Sequence, residues 1–293
     1  MRLLYYPGCT LKTSARNFEE SALAAARALG VELVEIERWN CCGTVHSLAV
    51  DDLIHHLAPI RNLIRVREMG GDKVVTLCAM CYHTLKRANL TVRNDPEKLD
   101  KMNRFMDREI DYDGKVEVID MLEVLRDMIG FDAISRKVVR PLEGLKLAGY
   151  YGCMLLRPEE VALDNFEEPT VLKDLVESIG GEYIDTPYKT ECCGAYQTVS
   201  EPDIVIERVQ AILSSCQAEG AEAIVTACPL CFFNLDRRQR EIKEANAGFR
   251  EMPIFYFTQP LAIALGVGEG AMGFDLHYVN PEPLLREKRF VQA

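Results

Sequence analysis

The sequence predicts an α/β fold of two similar domains related by a pseudo-twofold, each a small parallel sheet flanked by helices with cysteine-bearing loops at one end. Three observations carry this expectation. Strand patterns alternate with helical patterns along the chain, an order that favours a parallel sheet. An apolar run ending in a cysteine pair, VVTLCAMCYHTL at 74–85, recurs as IVTACPLCFFNL at 224–235. Each copy also has three matched cysteines upstream: Cys9, Cys41 and Cys42 for Cys78 and Cys81, and Cys153, Cys192 and Cys193 for Cys228 and Cys231. The gaps agree closely, with 31 residues between Cys9 and Cys41 against 38 in the second half, and 35 between Cys42 and Cys78 against 34.

The elements follow in order. Arg2 to Tyr6 reads as a first strand, turned by Pro7-Gly8 into Cys9. Phe18, Ala22, Ala25 and Leu29 repeat at helical spacing up to the natural stop at Gly30. Val31 to Ile36 alternates apolar and acidic residues, as a half-solvated strand does. After Cys41-Cys42-Gly43, Leu53, Leu57, Ile60 and Ile64 mark a second helix that Pro59 should bend or restart. The Val74 strand follows Gly70-Gly71, then a long polar helical stretch through Glu109, a strand at Lys115 to Ile119 and a helix at Met121 to Met128. Ile129 to Leu145 reads as a linker, which divides the chain into domains at 1–140 and 141–293. The second half repeats the series: strand Lys146 to Tyr151, helix Thr170 to Ile179, a short strand at Tyr183-Ile184, helix Ile204 to Ala218, the second strand into CxxC, and strand Pro253 to Phe257. Residues 270–293 have no counterpart and are expected to pack on the first half or hold a partner.

Composition bounds the function. A chain of 293 residues with 48% hydrophobic and 27% charged residues is ordinary for a globular protein and can bury a core without disulfides. No apolar run approaches the ~18 residues needed to span a membrane. The N-terminus has no signal-like apolar region, so a cytoplasmic protein is expected. A net charge of −11 argues against nucleic acid or anionic membranes as partners. Eleven cysteines in a reducing compartment point to metal ligands or redox groups rather than a disulfide framework.

The cysteine pattern has its own chemistry. A CxxC at a strand-to-helix turn places two thiolates at a helix N-terminus, where free N–H groups lower thiol pKa. Adjacent cysteines such as Cys41-Cys42 suit different metals of one cluster better than one tetrahedral ion. Gly43 and Gly194 allow close backbone approach, with N–H groups that face sulfur. Structural zinc and a cubane iron–sulfur cluster each take four ligands, so five per half leave one spare or point to a cluster of another kind. A thioredoxin-like dithiol explains CxxC but not the other three cysteines. Cys216 shares a helix face with Val205, Val209, Ile212 and Leu213 and reads as a small buried hydrophobe.

YYPGC…CCG…CxxC, repeated as YYGCM…CCG…CPLC over about Leu3 to Gly266, resembles the duplicated cysteine-rich CCG domain found in the B-type subunit of heterodisulfide reductase. The same domain resembles parts of lactate-utilisation, glycolate-oxidase and thiol:fumarate reductase subunits. The resemblance implies two noncubane 4Fe–4S clusters, each held by five cysteines: Cys9, Cys41, Cys42, Cys78 and Cys81 for one, and Cys153, Cys192, Cys193, Cys228 and Cys231 for the other. The cysteine-bearing loops would then be cluster-bearing loops that face each other. The implied reaction is reductive cleavage of the mixed disulfide of coenzyme M and coenzyme B, in methanogenesis, with the disulfide between two one-electron clusters and the cysteines as ligands, not nucleophiles. The sequence has neither a ferredoxin-type C-x₂-C-x₂-C-x₃-C-P run nor a GxGxxG fingerprint. Electrons are therefore expected from a small ferredoxin-like subunit, itself fed by a flavin-containing subunit of the same soluble complex, with a hydrogenase or formate dehydrogenase behind them.

The implied substrate carries sulfonate, phosphate and carboxylate groups. Lys12, His46, His83, Arg157 and Lys189 are the cations nearest the cysteines in sequence, and Tyr82, Tyr196 and Gln197 are the side chains that would shape a pocket. Each has an ordinary alternative as a solvated charge or a helix-face residue. Two other functions fit the motifs: a related CCG-domain oxidoreductase acting on a hydroxy acid or another disulfide, and a non-catalytic, metal-stabilised electron-transfer scaffold.

Overall fold

The computed structural model describes residues 1–44 and 53–291. Two four-stranded sheets, all parallel, are built in the same order. The first holds β1 (Arg2–Tyr6), β2 (Glu32–Glu35), β3 (Lys73–Thr76) and β4 (Glu117–Asp120), arranged β2-β1-β3-β4. The second holds β5 (Lys146–Tyr150), β6 (Glu182–Ile184), β7 (Ala223–Thr226) and β8 (Ile254–Tyr256), arranged β6-β5-β7-β8. The central strands β3 and β7 are apolar and buried throughout their length apart from half-buried Lys73, as strands covered on both faces must be. Matching register neighbours line the C-terminal edges: Tyr6, Thr76 and Asp120 in one sheet, and Tyr150, Thr226 and Tyr256 in the other.

The helices follow the apolar periodicity with local adjustments. Arg16–Leu29 stops at Gly30, whose φ of 84° is left-handed. Pro59 falls in the first turn of Leu57–Glu68, where its missing N–H costs nothing, so the helix restarts there after a tight turn at Leu53–His56. The expected long helix after Cys81 is two, Ala79–Arg93 and Pro96–Phe105. Asp95 separates them because its carboxylate accepts the N–H groups of Glu97 and Lys98 as an N-cap.

The halves interleave. Helix Arg16–Leu29 of the first half packs on Thr258–Ala264 of the second, and Phe131–Ser135 packs on Val171–Ser178. The expected linker thus contains a short helix that belongs to the interface. Ser21 bonds Thr258 at 2.6 Å, and the Tyr256 ring stacks between Phe18 and Phe232 at 4.2 Å on each side. Buried apolar residues of both halves form one continuous core.

The final stretch packs on both halves. Gly273 presses against Asn17, whose Cα and Cβ leave no room for a side chain there. Asp236 accepts the N–H groups of Tyr278 and Val279, and Arg140 donates to the Phe290 carbonyl.

Candidate metal centres

The CxxC pairs lie where β3 and β7 end. Cys78 and Cys228 are the N-caps of helices Ala79–Arg93 and Pro229–Arg237, with extended backbone at ψ of 118° in both. Each strand must stop here because the next residues turn helical, and the backbone N–H of Cys81, and those of Leu230 and Cys231, favour the thiolate form of Cys78 and Cys228 respectively. Cys81 and Cys231 follow on the same turn. Cys9 sits in the short helix Gly8–Leu11, and Cys41-Cys42 in the loop beyond β2, with Cys153 and Cys192-Cys193 in the corresponding places.

Five thiols form an unbroken chain in each half. In the first, Cys41 bonds Cys9 and Cys42, Cys42 bonds Cys81, and Cys81 bonds Cys78. In the second, Cys192 bonds Cys153 and Cys193, Cys193 bonds Cys231, and Cys231 bonds Cys228. The order is the same in both. Sulfur separations are 3.6 Å for Cys9–Cys41, 3.7 Å for Cys153–Cys192 and 3.6 Å for Cys193–Cys231. Two thiolates on one tetrahedral metal, with bonds of about 2.3 Å, sit about 3.8 Å apart. Among the described residues no three His, Cys, Asp or Glu side chains close around a single point.

Three further features fit a metal group held by these thiols. Gly8, at φ of 71°, lies so close to Cys81 that a Cβ would come within 2.8 Å of its sulfur, and Gly152, at 64°, stands against Cys231 at 3.1 Å. Gly194 donates its N–H to Cys192 sulfur at 3.3 Å, and Gly43 does the same for Cys41. The hydroxyls of Thr76 and Thr226, fully buried two residues before each CxxC, have no partner among the described residues. Buried polar atoms of native proteins are rarely left so.

The electrostatics follow from crowding thiols. Hydrogen bonds from Cys153 and Cys193, with the N–H groups of Gly194 and Ala195, hold Cys192 down to about 2, whereas Cys193 is pushed up to about 12 by Cys192. Bonds from Cys41 and Cys81 hold Cys42 well below the usual thiol range. Crowding thus pulls the thiols of one chain in opposite directions: Cys42, Cys192 and Cys228 are lowered, while Cys41, Cys81, Cys153 and Cys231 are raised. Cys216 joins neither chain. It is buried on its helix, and burial pushes it up to about 11.

The two chains of thiols meet. Ala79 donates its N–H to the carbonyl of Ala227 at 3.2 Å, so the two CxxC turns abut. The bond is one-sided because the residue matching Ala79 is Pro229, which has no N–H. Tyr196 bridges the seam: its hydroxyl donates to Met154 sulfur at 3.5 Å and reaches Met80 sulfur at 3.8 Å.

The remaining candidates scatter. Lys12 is ion-paired with Glu19 and Glu35, both at 2.6 Å, and Lys189 with Glu168 and Asp185 at 3.0 and 2.8 Å. Both are engaged by carboxylates rather than turned to the thiols. Tyr82 is buried, with its hydroxyl on Lys86 and Glu123. His83 is buried with Nε2 unpartnered among the described residues, and burial beside Arg87 holds it down to about 4, hence neutral. Gln197 is exposed and accepts from Ser200. Arg157 is exposed, with no carboxylate partner among the described residues, on the turn that starts at Cys153. It precedes a cleft of about 510 Å³ between the two halves, lined by Arg87, Asn94, Lys98, Pro158 and Glu160. His46 lies outside the described residues.

Sequence reasoning missed the supports. Tyr6 donates to the carbonyl of Asn40 at 2.8 Å and Tyr150 to that of Glu191 at 2.5 Å, bracing each CCG loop from the sheet edge. The tyrosine repeated two positions before the turn glycine, at Tyr6 and Tyr150, was the available signal.

Comparison with known proteins agrees with this geometry. Residues 3–86 and 147–236 each match the cysteine-rich domain CCG. The B-type subunit of a ferredoxin/F420H2-dependent CoB-CoM heterodisulfide reductase of Methanosarcina acetivorans is 30% identical, over 95% of this chain and 94% of that one. A protein of Archaeoglobus profundus, named as like the B-type subunit of heterodisulfide reductase, is 29% identical, over 88% and 89%. An 8-methylmenaquinol:fumarate reductase membrane anchor subunit of Wolinella succinogenes is also 29% identical, over 96% and 98%. No helix among the described residues is long and apolar enough to cross a membrane. Among solved structures, a hypothetical protein from Helicobacter pylori shares the fold at a TM-score of 0.76 and 12% identity; this chain covers 51% of its length. The chain is an iron–sulfur oxidoreductase subunit that belongs to the duplicated CCG cysteine-rich domain family, together with the B-type subunits of heterodisulfide reductases.

Proposed function

We propose that this chain is the disulfide-cleaving subunit of a heterodisulfide reductase, with the mixed disulfide of coenzyme M and coenzyme B as substrate. The observation that carries the reading is the abutment of two five-thiol chains at Cys78 and Cys228, joined by the Ala79–Ala227 bond. A disulfide needs two electrons, and two matched centres beside one gap suit that stoichiometry.

The cofactor proposed is a pair of noncubane four-iron clusters, on Cys9, Cys41, Cys42, Cys78 and Cys81 and on Cys153, Cys192, Cys193, Cys228 and Cys231. When bound, such clusters supply single electrons and iron sites with affinity for sulfur. The chain's own residues do the rest. Gly8 and Gly152 leave room for the sulfurs of Cys81 and Cys231. Tyr6 and Tyr150 hold the CCG loops in place. Tyr196, whose partners among the described residues are thioether sulfurs, has a hydroxyl that a substrate can recruit cheaply because those acceptors are weak. Arg87 and Lys98 line the cleft between the halves, with Arg157 next in sequence to its Pro158, and are the cations proposed for the substrate's anionic tails. Electrons would enter from a ferredoxin-like subunit fed by a flavin-containing one, backed by a hydrogenase or formate dehydrogenase, in the cytoplasm.

A second reading is favoured by the Wolinella relative: an electron-conducting subunit of a fumarate-reducing enzyme. One experiment separates them. The anaerobic protein, poised with and without coenzyme M, is examined by electron paramagnetic resonance, and turnover is measured with the mixed disulfide and with fumarate. A new signal with coenzyme M and reduction of the disulfide support the first reading. No change with the thiol, and turnover with fumarate only, would refute it.

A further inference from the structure

One helix position is buried in the first half and bare in the second. The matched runs at 74–85 and 224–235 pair His83 with Phe233. His83 is 1% exposed, on a helix that packs on the turn Glu159–Val161 of the other half. Phe233 is 37% exposed, and its helix, Pro229–Arg237, packs mainly on elements of its own half. Beside it stands Tyr278, 60% exposed, edge to face with its ring centroid 6.3 Å away. Arg237 lies over the Tyr278 ring at 5.5 Å, and Arg238 over the Phe233 ring at 6.0 Å. Exposed Val199 continues the patch, because Arg238 donates to the carbonyl and hydroxyl of the adjacent Thr198 at 2.7 and 3.1 Å.

Exposed aromatic rings stacked with arginines are the side chains that carry binding energy at protein interfaces. Here they are held before any partner arrives. Asp236 accepts the Tyr278 N–H at 2.7 Å and fixes its backbone, so little freedom is lost on docking. Arg237 and Arg238 share one carboxylate, that of Glu241, at 2.8 and 3.1 Å. The neighbouring Arg240 is matched by Glu244. One positive charge is thus left over at the rings, on a chain of net charge −11. A partner that presents carboxylates is repelled by the chain as a whole and received at this face. The patch also connects to the second set of thiols. The Thr198 hydroxyl donates to Asn234 Oδ1 at 2.8 Å. Asn234, fully buried, donates from Nδ2 to the Cys193 carbonyl at 3.4 Å and to its sulfur at 3.5 Å.

We propose that the face formed by Phe233, Tyr278, Arg237 and Arg238 is the docking surface for an iron–sulfur carrier protein with carboxylates around its exposed cluster, and that electrons enter there, at the second set of cysteines. The proposal rests on the functional reading above and names where its electron supply attaches. The carrier docks twice and loses one electron each time. The disulfide gains both electrons, its S–S bond breaks, and two protons from solvent complete the thiols. Thr198 and Asn234 are the two side chains between the docked carrier and Cys193. Entry is one-sided because the matching position in the first half, His83, is buried.

The test uses the full chain, reconstituted anaerobically, with a two-cluster bacterial-type ferredoxin as probe and titanium(III) citrate as a reductant that needs no docking. Binding is read by calorimetry and reduction by stopped-flow bleaching. Tyr278→Ala and Arg237→Ala should each weaken ferredoxin binding about 10- to 30-fold and slow reduction by ferredoxin in step. Reduction by titanium citrate and iron content should not change. Phe105→Ala, which removes another exposed ring, should bind as the unmodified chain does. Binding should weaken as salt is raised, and less steeply in Arg237→Ala. Cys153→Ser should bind ferredoxin yet accept its electrons poorly, whereas Cys9→Ser should do both. Equal binding by the unmodified chain, Tyr278→Ala and Arg237→Ala would overturn the surface alone. An unmodified chain that titanium citrate reduces but ferredoxin neither binds nor reduces would overturn the class of partner. A chain that binds and is reduced yet cleaves no mixed disulfide would overturn the functional reading and leave the docking surface standing.

Discussion

Gly8→Ala should empty the first metal centre while costing the metal-free chain no more than the backbone strain of an alanine at positive φ. The backbone at Gly8 has φ of 71°, where an alanine costs about 1–2 kcal/mol. Its Cβ would stand 2.8 Å from Cys81 sulfur, about 0.6 Å inside ordinary contact. In the metal-free chain that sulfur can swing away at little cost. In the loaded chain it is pinned as a ligand, and forcing a methyl against it costs about 1–3 kcal/mol more, a loss of roughly 5- to 150-fold in retention. Gly70→Ala is the control: its φ is 74° and nothing lies within 4 Å of the new Cβ, so it carries the strain without the clash. Gly152→Ala should affect the second centre more mildly, since its contact is 3.1 Å. The assay is iron per chain after anaerobic reconstitution, with urea denaturation of the metal-free protein. Gly8→Ala and Gly70→Ala should unfold alike when metal-free, and only Gly8→Ala should lose about half its iron. Full iron in Gly8→Ala would show that Cys81 is not pinned, and the five-ligand assignment for that half would fall.

Three other outcomes are expected. Cys9→Ser and Cys153→Ser should each lower iron by about half and alter the signal of one centre only; loss of both centres from one substitution would show a shared group. Cys216→Ala should keep iron and turnover, at about 1 kcal/mol of stability for a buried thiol, and a loss of activity with both centres loaded would bring back dithiol exchange. His277, packed among Phe232, Phe255 and Phe274, is held down to about 4 by burial against an ordinary 6.5. A depressed histidine stabilises the fold fully above about pH 6.5 and loses that contribution as pH falls toward 4, at most about 3 kcal/mol. Hydrogen-exchange protection of residues 269–291, relative to the intrinsic rate at each pH, should therefore fall on acidification to about pH 5, and His277→Gln should flatten that dependence.

The ten clustered cysteines, the duplication and the strand–helix order were readable because each is local. A CxxC after an apolar strand must become a helix cap, whichever partner it meets, and Cys78 and Cys228 are such caps. The eleventh cysteine was readable too, from the apolar residues at helical spacing around it. The candidate cations were not, because proximity in sequence says nothing of the competing carboxylates. Glu35 lies far along the chain from Lys12, yet β1 and β2 pair in parallel and bring them to 2.6 Å.

By itself the sequence determined what the halves are: two parallel sheets, each ending in five thiols. The tertiary structure decided how they combine. Interleaved helices and the Ala79–Ala227 bond bring the two CxxC turns to one seam, and Tyr196 spans it. The same packing buried Asp120 fully and left its Oδ2 without a partner among the described residues. Burial and long-range contact are properties of the closed chain, since desolvation at any residue depends on what every other element covers.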